Sequence, residues 1–203
     1  MSGFGTARRA LSRLDVSKAT LFVCDIQDKF RPLIYNMETV INRSALCISV
    51  CKELSVPMIV SQQYTKVFGP TVPELMSVIP ASVPVFDKTK FSMLTPECSA
   101  AFTAMNRDQV LVVGIEAHVC VMQTVLDLLE MGKEVHVITD AVSSQRPHDR
   151  TVAMQRMQSS GAVLTTSEAA LFDLLGDSGR PHFKASSALI KQHNAVGTWE
   201  GPA

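Results

Sequence analysis

Six short runs of apolar residues, each set apart from the next by a stretch long enough to hold a helix, constrain this chain more than any other feature. They are Thr20–Asp25 (TLFVCD), Pro57–Ser61 (PMIVS), Val83–Phe86 (VPVF), Gln109–Gly114 (QVLVVG), Glu134–Asp140 (EVHVITD) and Ala162–Leu164. Runs of this length and continuity suit strands buried on both faces. The intervals carry helical signals. Met37, Val40, Ile41, Ser44, Cys47, Cys51 and Leu54 share one face at helical spacing, and Thr95-Pro96-Glu97 supplies the hydroxyl, proline and acid of a helix start. Val121, Val125, Leu128 and Leu129 repeat on one face before Gly132. A further helix ends near Gly161, and Thr165 with Glu168 is spaced as a capping box for a helix that stops at Gly176. Strands bounded by helices in this way predict one three-layer α/β/α domain with a six-stranded parallel sheet, in the doubly wound order 3-2-1-4-5-6.

The sequence divides into a tail at 1–19, the α/β domain at 20–176 and an extension at 177–203 with a short helix around 184–192. A length of 203 residues with 46% hydrophobic and 19% charged residues suits a single ordered domain. Residues 63–82 contain Gly69, Pro70, Pro73 and Pro80 and no long periodic pattern, as expected of a lid or pocket wall.

Nineteen basic and nineteen acidic residues leave no net charge, which gives no electrostatic case for nucleic acid or an anionic membrane and does not oppose self-association. No apolar run is long enough to span a bilayer. Five cysteines without a pairing pattern point to free thiols in a reducing compartment. The expected location is cytoplasmic, or mitochondrial if residues 1–14, with Arg8, Arg9 and Arg13 and no acid, act as a presequence rather than a frayed basic tail.

In open parallel sheets, chemistry gathers beyond the carboxyl ends of the strands, where strand order reverses. Three ionisable residues fall at such ends: Asp25 after the first strand, Lys88 after the third and Cys120 after the fourth. Cys120 also lies near a helix start, where unpaired amides and the helix dipole favour a thiolate and can bind an oxyanion. Asp25 could pass a proton to and from a leaving group, and Lys88 could hold both partners in reactive charge states. Each residue also has a plainer reading: a buried thiol, a helix cap, a surface charge. Their coincidence on one sheet edge favours the chemical one. Cys24, Cys47, Cys51 and Cys98 read as structural. No Cys/His spacing resembles a zinc site, and no glycine-rich phosphate loop follows the first strand, so neither a metal nor a cofactor is expected.

Asp25-Ile26-Gln27 with Phe30, Lys88-Thr89-Lys90-Phe91-Ser92, and Gly114-Ile115-Glu116-Ala117-His118-Val119-Cys120-Val121 resemble the isochorismatase-like (nicotinamidase-related) hydrolase family, in order, from about Thr20 to Gly176. The resemblance implies a cysteine hydrolase acting on a small amide-like C–N bond, with Lys88 rather than Lys90 in the triad. It further implies a cis Glu116–Ala117 bond and an oxyanion hole formed by the Ala117 and Cys120 amides. Gln27, Phe30, Gln63, Tyr64 and His118 are the expected pocket wall around a small-molecule substrate. The segment containing His148 also resembles the family, with no role assigned.

Two departures carry information. Metal-binding nicotinamidases carry an aspartate and histidines after the first two strands, whereas this chain has Ser61-Gln62-Gln63-Tyr64, which argues against a metal and against nicotinamide. Isochorismate-cleaving members lack the cysteine, so Cys120 argues against that substrate. Gln63-Tyr64 and Lys88–Met93 are most like the eukaryotic isochorismatase domain-containing proteins. Family habit implies a homo-oligomer: dimer, tetramer or octamer. The rival readings are a scaffold that keeps the fold without turnover, and a ribonuclease-like protein at the mitochondrion. Balanced charge and the lack of a base-stacking platform weigh against the latter.

Overall fold

The computed structural model describes residues 12–196. Most of the presequence-like segment, and Trp199, lie outside the described residues. The six strands are β1 (Ala19–Cys24), β2 (Met58–Gln63), β3 (Val85–Lys88), β4 (Gln109–Ile115), β5 (Glu134–Ser143) and β6 (Val163–Thr165). They form one parallel sheet in the order β3-β2-β1-β4-β5-β6, as the strand–helix alternation predicts. The helices are α1 (Met37–Glu53), α2 (Thr65–Phe68), α3 (Pro73–Met76), α4 (Pro96–Met105), α5 (Met122–Glu130), α6 (Pro147–Ser159), α7 (Ser167–Leu175) and α8 (Phe183–Asn194).

Alternation along the central strands builds two cores. Leu21, Val23, Leu111 and Val113 face α1, α7 and α8, while Phe22, Cys24, Val110 and Val112 face α4, α5 and α6. Both faces of β1 and β4 are therefore dry, and these strands read as continuous apolar runs for that reason. Among the described residues no helix is long and apolar enough to cross a membrane.

The structure corrects several sequence boundaries. Strand β3 begins two residues later than expected, because pairing opens with the Val60 N–H donating to Pro84 O at 3.1 Å and continues from Val60↔Val85 to Gln63↔Lys88. Lys88 is thus the last residue of the strand. The cap of α7 is Thr166, whose hydroxyl accepts from Ala169 N; Thr165 remains in β6 and is unavailable. Residues 63–82 are not a bare loop. They hold α2 and α3, with Leu75 fully buried and Thr71 bridged to Gln27. The expected helix at 184–192 is α8, one residue longer at its start and two at its end, and it is fastened to α1. Asn42 Nδ2 donates to His193 O at 3.0 Å, and Arg43 Nη1 donates to Asn194 Oδ1 at 2.6 Å.

The two strands flanking the switch point meet at Cys24 and Gly114. Gly114 has φ +124°, and a Cβ there would stand 2.0 Å from Cys24 O. No side chain fits this contact, and the conformation favours glycine besides. Gly114→Ala should lower the unfolding free energy by about 3 kcal/mol or more, read as a shift in urea midpoint. A midpoint unchanged from wild type would mean that β1 and β4 are farther apart than described.

Candidate active site

The end of β1 sets the site. Asp25 follows Cys24 with a positive φ of 52°, and its N–H donates to Ser61 O at 3.1 Å. That turn delivers the carboxylate to the rim of the sheet while keeping it 1% exposed. Ser61 Oγ donates to Asp25 Oδ1 at 2.7 Å, and Lys88 Nζ donates to Asp25 Oδ2 at 2.6 Å. The ammonium also reaches Gln63 Oε1 at 2.7 Å, Phe91 O at 2.8 Å and Lys90 O at 3.2 Å. Three adjacent strand ends, β1, β2 and β3, therefore converge on one buried ion pair.

A buried lysine would ordinarily lose its proton more readily. Here burial does push the Lys88 pKa down, but the two neighbouring thiols and the Asp25 carboxylate, which also accepts its hydrogen bond, outweigh it, and the net shift is upward from 10.5. Lys88 is a cation throughout the neutral range. Cys24 behaves oppositely. Burial, a hydrogen bond with Cys120 and the nearby Asp25 charge push its thiol well above 9.0, so it remains protonated.

Cys120 lies in a wide helical turn, Ala117–Val121, that runs on into α5. Ala117 and Cys120 are both buried there, the latter 7% exposed. The Cys120 carbonyl accepts from Thr124 Oγ1 at 2.7 Å, and the same hydroxyl accepts from Met93 N at 2.9 Å. This hydroxyl ties the loop after Lys88 to the helix that carries the thiol. Immediately before the turn lies a cis peptide bond, between Ile115 and Glu116 and not between Glu116 and Ala117 as the resemblance implies. Strand pairing holds Ile115 opposite Ser143, and the chain leaves the sheet at the next residue.

The remaining pocket candidates are placed as follows. Gln27 is completely buried and its amide is committed to backbone: Oε1 accepts from Gln63 N at 2.7 Å, and Nε2 donates to Gly69 O at 2.6 Å and Gln63 O at 3.0 Å. Gln63 Nε2 donates to Thr89 O at 3.0 Å while its oxygen serves Lys88. Phe30 stacks on Phe68 with ring centroids 4.7 Å apart, fixing the Asp28–Phe30 turn against α2. Tyr64 is exposed, and its N–H donates to Lys88 O at 2.8 Å. His118 is partly exposed and 3.0 Å from Ser144 Oγ. Sequence reasoning passed over Ser61, Thr124 and the contact of Cys24 with Cys120. Cys24 stands beside Asp25, and Ser61 ends its apolar run two residues before Gln63, which is the signal that marks them. Where a metal site would need histidines after β2, the chain supplies Ser61 and Gln63. Among the described residues no three His, Cys, Asp or Glu side chains converge as metal ligands.

Residues 19–169 match the isochorismatase domain family. The secreted isochorismatase effector Isc1 of Phytophthora sojae is 45% identical over 200 residues, 97% of this chain and 95% of its own. MAR1 ribonuclease from Caenorhabditis elegans superposes with a TM-score of 0.88 at 44% identity, covering 94% of this chain and 98% of that one. The YcaC gene product of Escherichia coli, an octameric hydrolase of unknown specificity, shares the fold at a TM-score of 0.77 and 24% identity, over 91% and 98% of the two chains.

Removing one partner of a buried ion pair strands the other. Lys88→Met should cost about 3–5 kcal/mol of stability. Because the folded-state pKa of Lys88 is raised, its contribution is fully present below 10.5 and lost as pH climbs through the higher folded value. Denaturant melts of wild type and variant should therefore stay separated by a constant gap across neutral pH and approach one another only above 10.5. A gap that closes near neutrality would contradict the charged pair.

Proposed function

The chain belongs to the isochorismatase family, and we propose that it is a cysteine-dependent hydrolase that opens a small amide-like C–N bond through a thioacyl-enzyme on Cys120. The observation carrying this reading is the buried Lys88–Asp25 pair, 2.6 Å between Nζ and Oδ2, beside the hydrogen-bonded thiols of Cys24 and Cys120. In the proposed cycle, the Asp25 carboxylate takes the proton of the Cys120 thiol. The thiolate adds to the substrate carbonyl carbon, and the resulting oxyanion accepts hydrogen bonds from the Ala117 and Cys120 amides. Asp25 then gives its proton to the departing amine as the C–N bond breaks. A water molecule, deprotonated by the same carboxylate, attacks the thioester. The acid leaves, and the proton returns to sulfur. Lys88 touches no reacting atom in this cycle. It fixes the orientation of the carboxylate and makes its charged form affordable in a dry site.

The similarity to MAR1 ribonuclease favours a second reading, hydrolysis of RNA. A net charge of zero gives no general attraction for a polyanion, and a thioacyl mechanism has no counterpart on a phosphodiester. Activity on RNA that survives Cys120→Ala and falls steeply with salt would favour the ribonuclease. Because Isc1 is described as an isochorismatase effector, isochorismate belongs in any substrate panel despite the thiol.

Self-association is part of the proposal. Tyr64, Val67 and Phe91 are exposed on segments that flank Lys88, a place where a second copy could cover apolar surface. YcaC is itself octameric.

Two measurements test these readings. Amides and esters presented one at a time, followed by intact-protein mass spectrometry, should give an acyl adduct on Cys120 that is absent from Cys120→Ala, with turnover reduced at least about a thousandfold. Turnover unchanged in Cys120→Ala would end the thioacyl mechanism. Light scattering should give a mass that is a multiple of 22.1 kDa, and a clean monomer at micromolar concentration would end the oligomer.

A further inference from the structure

We propose that Glu116 and His118 are positioning residues that clamp the thiol-bearing turn to the segment after β5, and that protonation of His118 tightens the clamp; the inference rests on Cys120 being the nucleophile. The turn Ala117–Val121 carries both the thiol and the proposed oxyanion amides, so its placement governs the reaction geometry. Outside the sheet, it is held from the side by residues 143–149.

That segment is itself anchored. Ser143 Oγ donates to Tyr35 O at 2.6 Å, the Tyr35 N–H donates to Ser144 O at 3.0 Å, and Arg150 Nε donates to Val142 O at 3.0 Å. Two side chains of the turn grip it. The Glu116 carboxylate accepts from Gln145 N at 2.9 Å and from Gln145 Nε2 at 3.3 Å. The His118 ring places Nδ1 3.0 Å from Ser144 Oγ and 4.0 Å from Glu116 Oε2, while Nε2 lies 3.9 Å from Asp149 Oδ2 at the start of α6.

The imidazole therefore sits between two carboxylates, one facing each ring nitrogen. A neutral ring can satisfy Ser144 and attracts neither acid strongly. An imidazolium donates on both sides, drawing Glu116 on the turn and Asp149 on α6 toward one centre. The groups facing the ring are Glu116, just before its own turn, Ser144, just after β5, and Asp149 from α6. Asp149 also pairs with Arg146 at 2.5 Å, so part of its charge is already met. The side chains are 29%, 15% and 24% exposed for His118, Glu116 and Asp149. The effect is accordingly a moderate factor rather than an on–off switch.

The test compares wild type, Glu116→Gln, His118→Gln and Asp149→Asn. p-Nitrophenyl acetate serves as acylating probe from about pH 5 to about pH 9. Acylation of Cys120 is followed by intact mass, and backbone hydrogen exchange across 116–121 is measured in the same samples. We expect the wild-type to His118→Gln ratio of acylation rates to be roughly three- to tenfold larger on the acid side than on the alkaline side. Asp149→Asn should show a smaller rise of the same sign. Glu116→Gln should acylate more slowly, and exchange faster in 116–121, at both extremes. Ratios that stay flat with pH, together with exchange that His118→Gln leaves unchanged, would overturn the clamp. If wild-type Cys120 forms no adduct, the nucleophile assignment fails by itself. The exchange data then decide the clamp: faster acid-side exchange in His118→Gln supports it, and no difference rejects it.

Discussion

A cation and an anion placed in the dry rim of a sheet each need the other, and the arrangement of this domain follows from meeting that need. Lys88 and Asp25 come from strands that are not neighbours; β2 lies between them and contributes Ser61 to the carboxylate and Gln63 to the ammonium. Taking two charges out of water costs several kcal/mol apiece, which direct attraction recovers only when the remaining donors and acceptors are also met. Carbonyls of Lys90 and Phe91 complete the ammonium's shell, so the loop after β3 is shaped by the charge it surrounds. Such a pair contributes little net stability and much geometric definition.

The thiol reaches this pair by a separate route. Strand β4 can lie close enough to β1 because residue 114 has no side chain, and the chain turns out of the sheet directly after Ile115. The wide turn then presents Cys120 toward Cys24, a protonated thiol at the tip of β1 beside Asp25. Two sulfur atoms and two opposite charges thus share one pocket of low dielectric, where small displacements change electrostatic energies more than they would in water. The Thr124 hydroxyl, bridging Cys120 O and Met93 N, limits such displacements by joining the halves of the site.

Much of this was legible in the sequence. The apolar runs mark the sheet most clearly at β1 and β4, which are buried on both faces and have nowhere to put a charged residue, and less so at the partly exposed edge strands β3 and β6. The switch-point rule predicts Asp25, Lys88 and Cys120 at one sheet edge, with Asp25 opposite Cys120 across the crevice, and the structure pairs Asp25 with Lys88 there. Finer detail depended on pairing that only three dimensions reveal. Strand β3 starts at Val85 because β2 reaches Pro84 O, a partner that no local pattern announces. Gln27 looked like a pocket residue from its place beside Asp25, yet its amide pairs with the backbone of Gln63 and Gly69, 36 and 42 positions away. Thr165 has the capping-box spacing to Glu168, yet it is held in β6, so Thr166 takes the cap. Residues 63–82 lacked a long period because they hold two single-turn helices, each too short to show one.

The clasp between α8 and α1 has a consequence for how the chain is made. Helix α1 leaves the ribosome well before α8, and the face that carries Asn42 and Arg43 finds His193 and Asn194 more than a hundred residues later. Until then, part of its surface has no native neighbour. Synthesis at several residues per second leaves that surface uncovered for many seconds, long enough for a chaperone or another nascent copy to meet it before α8 arrives.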